Sequence, residues 1–155
     1  MPQTLEPLLG QHKFFAGMDP QDLALIAACA ERVAFTDGVF LFREGTAARK
    51  FYLVTDGAVA LEIAAPGRVV TVQSLGAGEV AGFSWLIGPH RWQFDGRAVG
   101  QVRAIEIDGA CLRAKCQADT RLGFDLMRRF ALLATRRLQA TRLQILDVYG
   151  HAGTS

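Results

Sequence analysis

The stretch most able to do chemistry is residues 76–98, GAGEVAGFSWLIGPHRWQFDGRA, in which Gly76, Gly78 and Gly82 precede a basic and aromatic run. Glycine lets backbone N–H groups approach a ligand closely, and free N–H groups at a helix start favour an anion. Phe83 to Ile87 can turn as such a short helix, and Arg91 follows as a counter-charge. The stretch therefore reads either as a phosphate cradle or as a glycine-rich turn between strands, and the motif alone does not separate the two. Either way the chemistry is binding. The sequence shows no Ser/His/Asp or Cys/His spacing, no Walker-type loop and no metal-ligand set, so an enzyme is not expected. His12 reads as a local structural residue, and His90 and His151 as surface. Cys29, Cys111 and Cys116 form an odd set in apolar surroundings, read as core thiols in a reducing cytoplasm rather than a metal site.

The elements that must position this stretch follow from the period of the apolar residues. A chain of 155 residues, 50% hydrophobic and 21% charged, is globular in composition and long enough for one core. We expect a single domain over 1–150 with a tail at 151–155. A net charge of +2 is too mild to argue for nucleic acid, and no apolar run reaches membrane-spanning length. Residues 1–35 read as helical, with Asp19 as N-cap and Pro20 at the first helical position. Residues 36–108 break into short apolar or alternating runs divided by Asp37-Gly38, Glu44-Gly45, Asp56-Gly57 and Pro66-Gly67, the pattern of a sandwich or barrel. Residues 109–148 are helical again, capped at Asp108 and Asp119.

On the last helix Met127, Phe130, Ala134, Leu138, Thr141 and Ile145 step by three and four as one seam. With Leu126, Leu132, Leu133, Leu143 and Leu146 there is more apolar surface than one neighbour would cover. A homodimer through the Met127–Ile145 helix is therefore expected. Arg128, Arg129, Arg136, Arg137 and Arg142 read as a solvated face with local pairs such as Asp125 to Arg129.

Several spaced motifs agree with a known family. LFREG in Leu41 to Gly45, FYLVTDG in Phe51 to Gly57, the glycine stretch, RRLQAT in Arg136 to Thr141 and LDVYG in Leu146 to Gly150 resemble the cyclic-nucleotide-binding domain of catabolite-activator-type (Crp/Fnr) regulators. The resemblance implies an α+β fold: a jelly-roll β-barrel, cyclic-nucleotide-binding-like, flanked by N-terminal helices and a long C-terminal dimerisation helix. It covers the sensory half, without the helix-turn-helix domain, so specific DNA binding is not expected.

The same resemblance marks the ligand-binding candidates Gly78, Glu79, Gly82, Phe83, Ser84, Arg91, Trp92, Thr141 and Arg142. Gly78-Glu79 and Gly82 match the pattern G-E-x-x-G, but Phe83 stands where the family has its ribose-binding glutamate. The phosphate arginine falls on Arg91 counted forward from Gly82, and its place on Trp92 counted back from Ala98 and Leu112. A ribose hydroxyl buried against phenylalanine would go unpaired, at a cost of roughly 1–3 kcal/mol. The expected function is a small cytoplasmic regulatory or sensor module that binds cyclic AMP, another cyclic nucleotide or a related small anion. Such binding would be weak or of altered specificity, with signalling through the dimer helix. The alternative is a degenerate domain, its pocket filled by Phe83, Trp85 and Trp92, that docks on an unknown protein partner.

Overall fold

The computed structural model describes residues 5–82, 85–86 and 90–152, with side chains in the last helix described through 140 and at 142. Helix α1 (Glu6–Gln11), a 3-10 turn (Lys13–Phe15) and α2 (Pro20–Ala27) open the chain. The Asp19 carboxylate accepts from the Gln21 N–H at 3.0 Å, and Pro20 follows it at the first helical position. Helix does not continue to residue 35: Ala30–Phe35 is strand β1. It pairs with a distant strand along its whole length, so a long-range partner decides a segment whose local pattern is ambiguous.

Strands β2 (Phe40–Phe42), β3 (Lys50–Ala65), β4 (Arg68–Leu75), β5 (Val80–Ala81) and β6 (Asp95–Asp108) complete a six-stranded antiparallel jelly roll. β3 and β6 are its spine. The second half of β6 pairs with β1 and the first half of β3, and its first half pairs with β2 and the second half of β3. The register slips between Val54 and Ala58, and the glycine there is obligatory. Gly57 has φ +84°, and a Cβ would stand 2.3 Å from the Gln101 carbonyl oxygen.

The bend gives the sheet two apolar faces. Tyr52, Val54, Val59, Leu61, Ala98, Val102 and Ala104 point into the barrel, together with Phe42 and Trp92. Phe51, Leu53, Ile105 and Ile107 point the other way and pack under the helices. That layer holds α3 (Gly109–Ala118), capped by Asp108, and α4 (Thr120–Ala152). The Asp119 carboxylate accepts from the Arg121 and Leu122 N–H groups at the start of α4. Phe130 is buried on this side, against Phe14, Phe51 and Trp85, and so leaves the outward seam to which its spacing assigns it. Among the described side chains of α4, Phe124, Met127, Leu132 and Leu138 are the large apolar ones that are exposed.

Two links tie the ends of the chain together. Asp22, 2% exposed, receives both Arg121 guanidinium nitrogens, at 3.0 and 2.6 Å. Cys29 and Cys111 form a disulfide, so two of the three cysteines are not the core thiols expected from sequence; Cys116 keeps its thiol. The reason is register. Ala30 lies opposite Ile107 and the Asp108 N–H donates to the Cys29 carbonyl, which brings residues 82 apart in sequence to a Cα separation of 5.7 Å.

Candidate functional site

The glycine turn before β5 is fastened to the barrel by its own backbone. Gly78 adopts φ +88°, its N–H donates to the Val54 carbonyl at 2.9 Å, and the Val54 N–H returns a bond to the Glu79 carbonyl at 2.9 Å. The Glu79 N–H donates to Gly76. Gly78 and Glu79 therefore spend their amides on the fold, and the Glu79 side chain is exposed. His12 buttresses the same place. Its Nδ1 accepts from the Phe14 N–H at 3.2 Å, which leaves Nε2 to donate to the Val54 carbonyl at 3.1 Å. Burial holds its pKa below the ordinary imidazole value, against the opposing pull of the Val54 and Glu79 backbone. The isolated histidine is structural here, as its sequence context suggests.

Gly82 sits where the chain leaves β5, with φ +116°. A Cβ on it would meet the six-membered ring of Trp92 at 2.8 Å. Trp92 is itself buried and stacks on Phe42 with ring centroids 3.8 Å apart and planes 10° from parallel. Phe42 in turn fills the space over Gly96, where a Cβ would come within 2.4 Å of its ring. The barrel face beneath Gly82 is thus closed by a stacked aromatic pair fitted to two glycines.

Arg91 takes the opposite direction. It is exposed, and its guanidinium donates to the Gly45 carbonyl at 2.8 Å. Backbone bonds hold it there: the Trp92 N–H donates to Thr46, and the Gly45 N–H to Trp92. Of the two positions competing for the phosphate arginine, the arginine is turned outward and the tryptophan inward. Phe83 and Ser84 lie outside the described residues, as does the side chain of Thr141; Arg142 is exposed on α4. Trp85 belongs to the helix layer, stacked on Phe51 at 4.8 Å, with its carbonyl held by Arg113.

The arginines of α4 are not one solvated face. Arg129 pairs with Asp125 and donates to the Phe14 and Ala16 carbonyls, at 2.8 and 3.0 Å. Arg137 is half-buried and donates to the Val80 carbonyl. Desolvation pushes its pKa down to about 10, against the raising effect of Glu79. Beside it lies a cavity of about 440 Å³ between the 3-10 turn, the glycine turn and α4. Sequence reasoning passed over Lys13 and Gln73, which line it, because neither belongs to a motif. Among the described residues, no cluster of three His, Cys, Asp or Glu could hold a metal, and no helix is long and apolar enough to cross a membrane.

Comparison with known proteins agrees with this architecture. A CRP-like cAMP-activated global transcriptional regulator of Mycobacterium tuberculosis is 24% identical over 145 residues, covering 93% of this chain. This chain spans 63% of the length of that relative. A candidate cyclic nucleotide-binding protein of Geobacter metallireducens GS-15 superposes with a TM-score of 0.78 at 32% identity, covering 86% of this chain and 97% of the other. The catabolite activator protein of Thermus thermophilus superposes with a TM-score of 0.70 at 26% identity, covering 89% and 63%. The sequence profile described as "Cyclic nucleotide-binding domain" matches residues 32–119, from β1 through α3. The chain, with its glycine turn, jelly roll and long closing helix, belongs to the cyclic nucleotide-binding domain family.

Proposed function

We propose that this chain is a regulatory module that acts by binding rather than catalysis, and that its barrel cradle takes cyclic AMP or a similar cyclic nucleotide weakly or not at all. The observation that supports this reading is the Trp92–Phe42 stack beneath Gly82, with Arg91 turned out to the Gly45 carbonyl. A guanidinium answers a phosphate with fixed donors only if it faces it. An unassisted ribose hydroxyl costs a further penalty of roughly 1–3 kcal/mol, about one to two powers of ten in affinity. Calorimetry with cyclic AMP tests this on the wild type, Phe83→Glu and Arg91→Ala. Phe83→Glu gains affinity if the cradle is open, and Arg91→Ala, which removes a guanidinium turned away from the cradle, leaves whatever binding exists unchanged. Tight binding by the wild type would sink the proposal.

The output of the module is its exposed helix face. Phe124, Met127 and Leu138 share one side of α4, and a second copy of the chain would cover them. Light scattering at tens of micromolar should read a dimer, and a monomer there would refute this. The cytoplasm is the compartment proposed for this regulator and its protein partner, and there the Cys29–Cys111 bond would be open to reduction. Arg129 and Arg137 are engaged by carbonyls of their own chain, so no specific DNA binding is expected of it. A sequence-selective shift of duplex DNA that persists at physiological salt would overturn that.

A further inference from the structure

The cavity outside the barrel has a composition unlike that of the barrel interior. Four basic side chains converge on it from two separate elements: Lys13 from the 3-10 turn, and Arg129, Arg136 and Arg137 from α4, Arg129 being already engaged by Asp125 and by the Phe14 and Ala16 carbonyls. The exposed Lys13 stem lies over Gly78, where a Cβ would stand in ordinary contact with the lysine Cβ at 3.7 Å. Arg137 is anchored through the Val80 carbonyl and is partly desolvated. Leu132, 52% exposed, supplies an apolar margin, and Glu79 contributes one carboxylate. A single carboxylate leaves an excess of positive charge at the site. At about 440 Å³ the space is of the size that holds a small organic ligand.

Dimer formation would leave this groove open. At about 100° per residue, Leu132 and Arg136 lie on one flank of the barrel-facing stripe of α4, and Phe124, Met127 and Leu138 on the other. A partner helix centred on Met127 and Leu138 would face away from Leu132 and Arg136.

We propose that this groove is a second ligand site, separate from the barrel cradle, for a small molecule carrying a diphosphate group. Lys13, Arg136 and Arg137 would receive the phosphates, the body of the ligand would lie along Leu132, and Glu79 would accept from a hydroxyl or amine on it. Such a ligand joins the N-terminal segment to α4 across the glycine turn, so its binding reaches the same helix that carries the exposed apolar face. The proposal does not depend on any nucleotide entering the barrel.

The test is calorimetry on the full chain with inorganic pyrophosphate as the probe, at constant ionic strength in a buffer free of phosphate. One pyrophosphate should bind per chain. The double variant Lys13→Gln/Arg136→Gln alters two exposed side chains and should weaken binding at least tenfold with an unchanged melting profile. Arg91→Ala, which removes an exposed guanidinium outside the groove, should bind as the wild type does. No heat at millimolar pyrophosphate, equal binding by the double variant, or loss of binding in Arg91→Ala would each overturn the proposal.

Discussion

The two tryptophans divide the molecule. Trp92 is in the barrel, stacked on Phe42 and pressed against Gly82. Trp85 is in the helix layer, stacked on Phe51 and edge-on to Phe130. Both are almost fully buried, yet they do different things. Trp85 belongs to an aromatic group that joins strand β3 to α4, and with Phe14 to the N-terminal turn. Trp92 makes its contacts within the barrel, with Phe42 of β2 and with Gly82. It occupies the part of the barrel next to Gly82, where the proposed cradle lies. One aromatic cluster is a joint between elements, and the other is a filling.

Substitution at the two tryptophans should separate these roles. Trp92→Ser and Trp85→Ala each remove a large buried ring, and each should cost about 3–5 kcal/mol of stability. Their response to ligand should differ. Cyclic AMP should raise the melting temperature of Trp92→Ser, whose barrel is opened, and leave Trp85→Ala unmoved. An equal response from both would erase the distinction.

A smaller effect should follow from the disulfide, which belongs to the joint alone. The double variant Cys29→Ser/Cys111→Ser should lose about 2–5 kcal/mol, since the bridge closes a long loop. The loss should show first as faster amide exchange in α2 and α3, with the barrel strands following only on global unfolding. Uniform acceleration would mean that the two layers open as one unit.

The smallest effects are expected from pH, and they again fall on different layers. His12, which ties the N-terminal segment to Val54, has its pKa lowered by burial. The unfolded chain then binds the extra proton more readily, so this contribution is intact above about pH 6.5 and is lost as the pH falls below it. Glu62 in the barrel is held below the ordinary carboxylate value by its two bonds from Arg97, both 2.9 Å. Its contribution persists above the ordinary glutamate pKa and is lost only as the pH falls through the lowered one. Melting temperature should therefore decline in two stages on acidification, each with a slope of at most about 1.4 kcal/mol per pH unit. His12→Gln should remove the first stage and Glu62→Gln the second. A single-stage decline unaffected by either variant would contradict the assignment.

What was legible in the sequence was mostly local. The caps at Asp19, Asp108 and Asp119, the strand runs divided by turn pairs, and the Asp125–Arg129 pair depend on neighbours within a few residues. The jelly roll followed from motifs in a recognisable order. What escaped was set by register between distant strands. β1 carries no strong strand pattern of its own and is defined by β6. The Cys29–Cys111 contact exists because the Ala30–Ile107 pairing places the ends of two strands side by side. In the candidate site, the spacing left Arg91 and Trp92 exchangeable. Alternation settles that only when the direction of the strand is known, and the Thr46–Trp92 backbone bond supplies it. Phe130 and Arg137 were misread for a related reason. A helix of many leucines and arginines has several plausible faces, and which one meets the barrel depends on Phe14 and Val80, far away in sequence.

The Cys29–Cys111 bond also changes the connectivity of the molecule. It turns everything from the end of α2 to the start of α3 into a closed covalent ring that contains the whole β-barrel. The N-terminal helices and α4 are then two arms attached at one knot. A protease that cuts a surface turn such as Pro66-Gly67 would nick the ring without releasing a fragment until a reductant is added. Tension applied between the two ends of the chain would load the knot and bypass the sheet, so the barrel could keep its shape while the arms are moved.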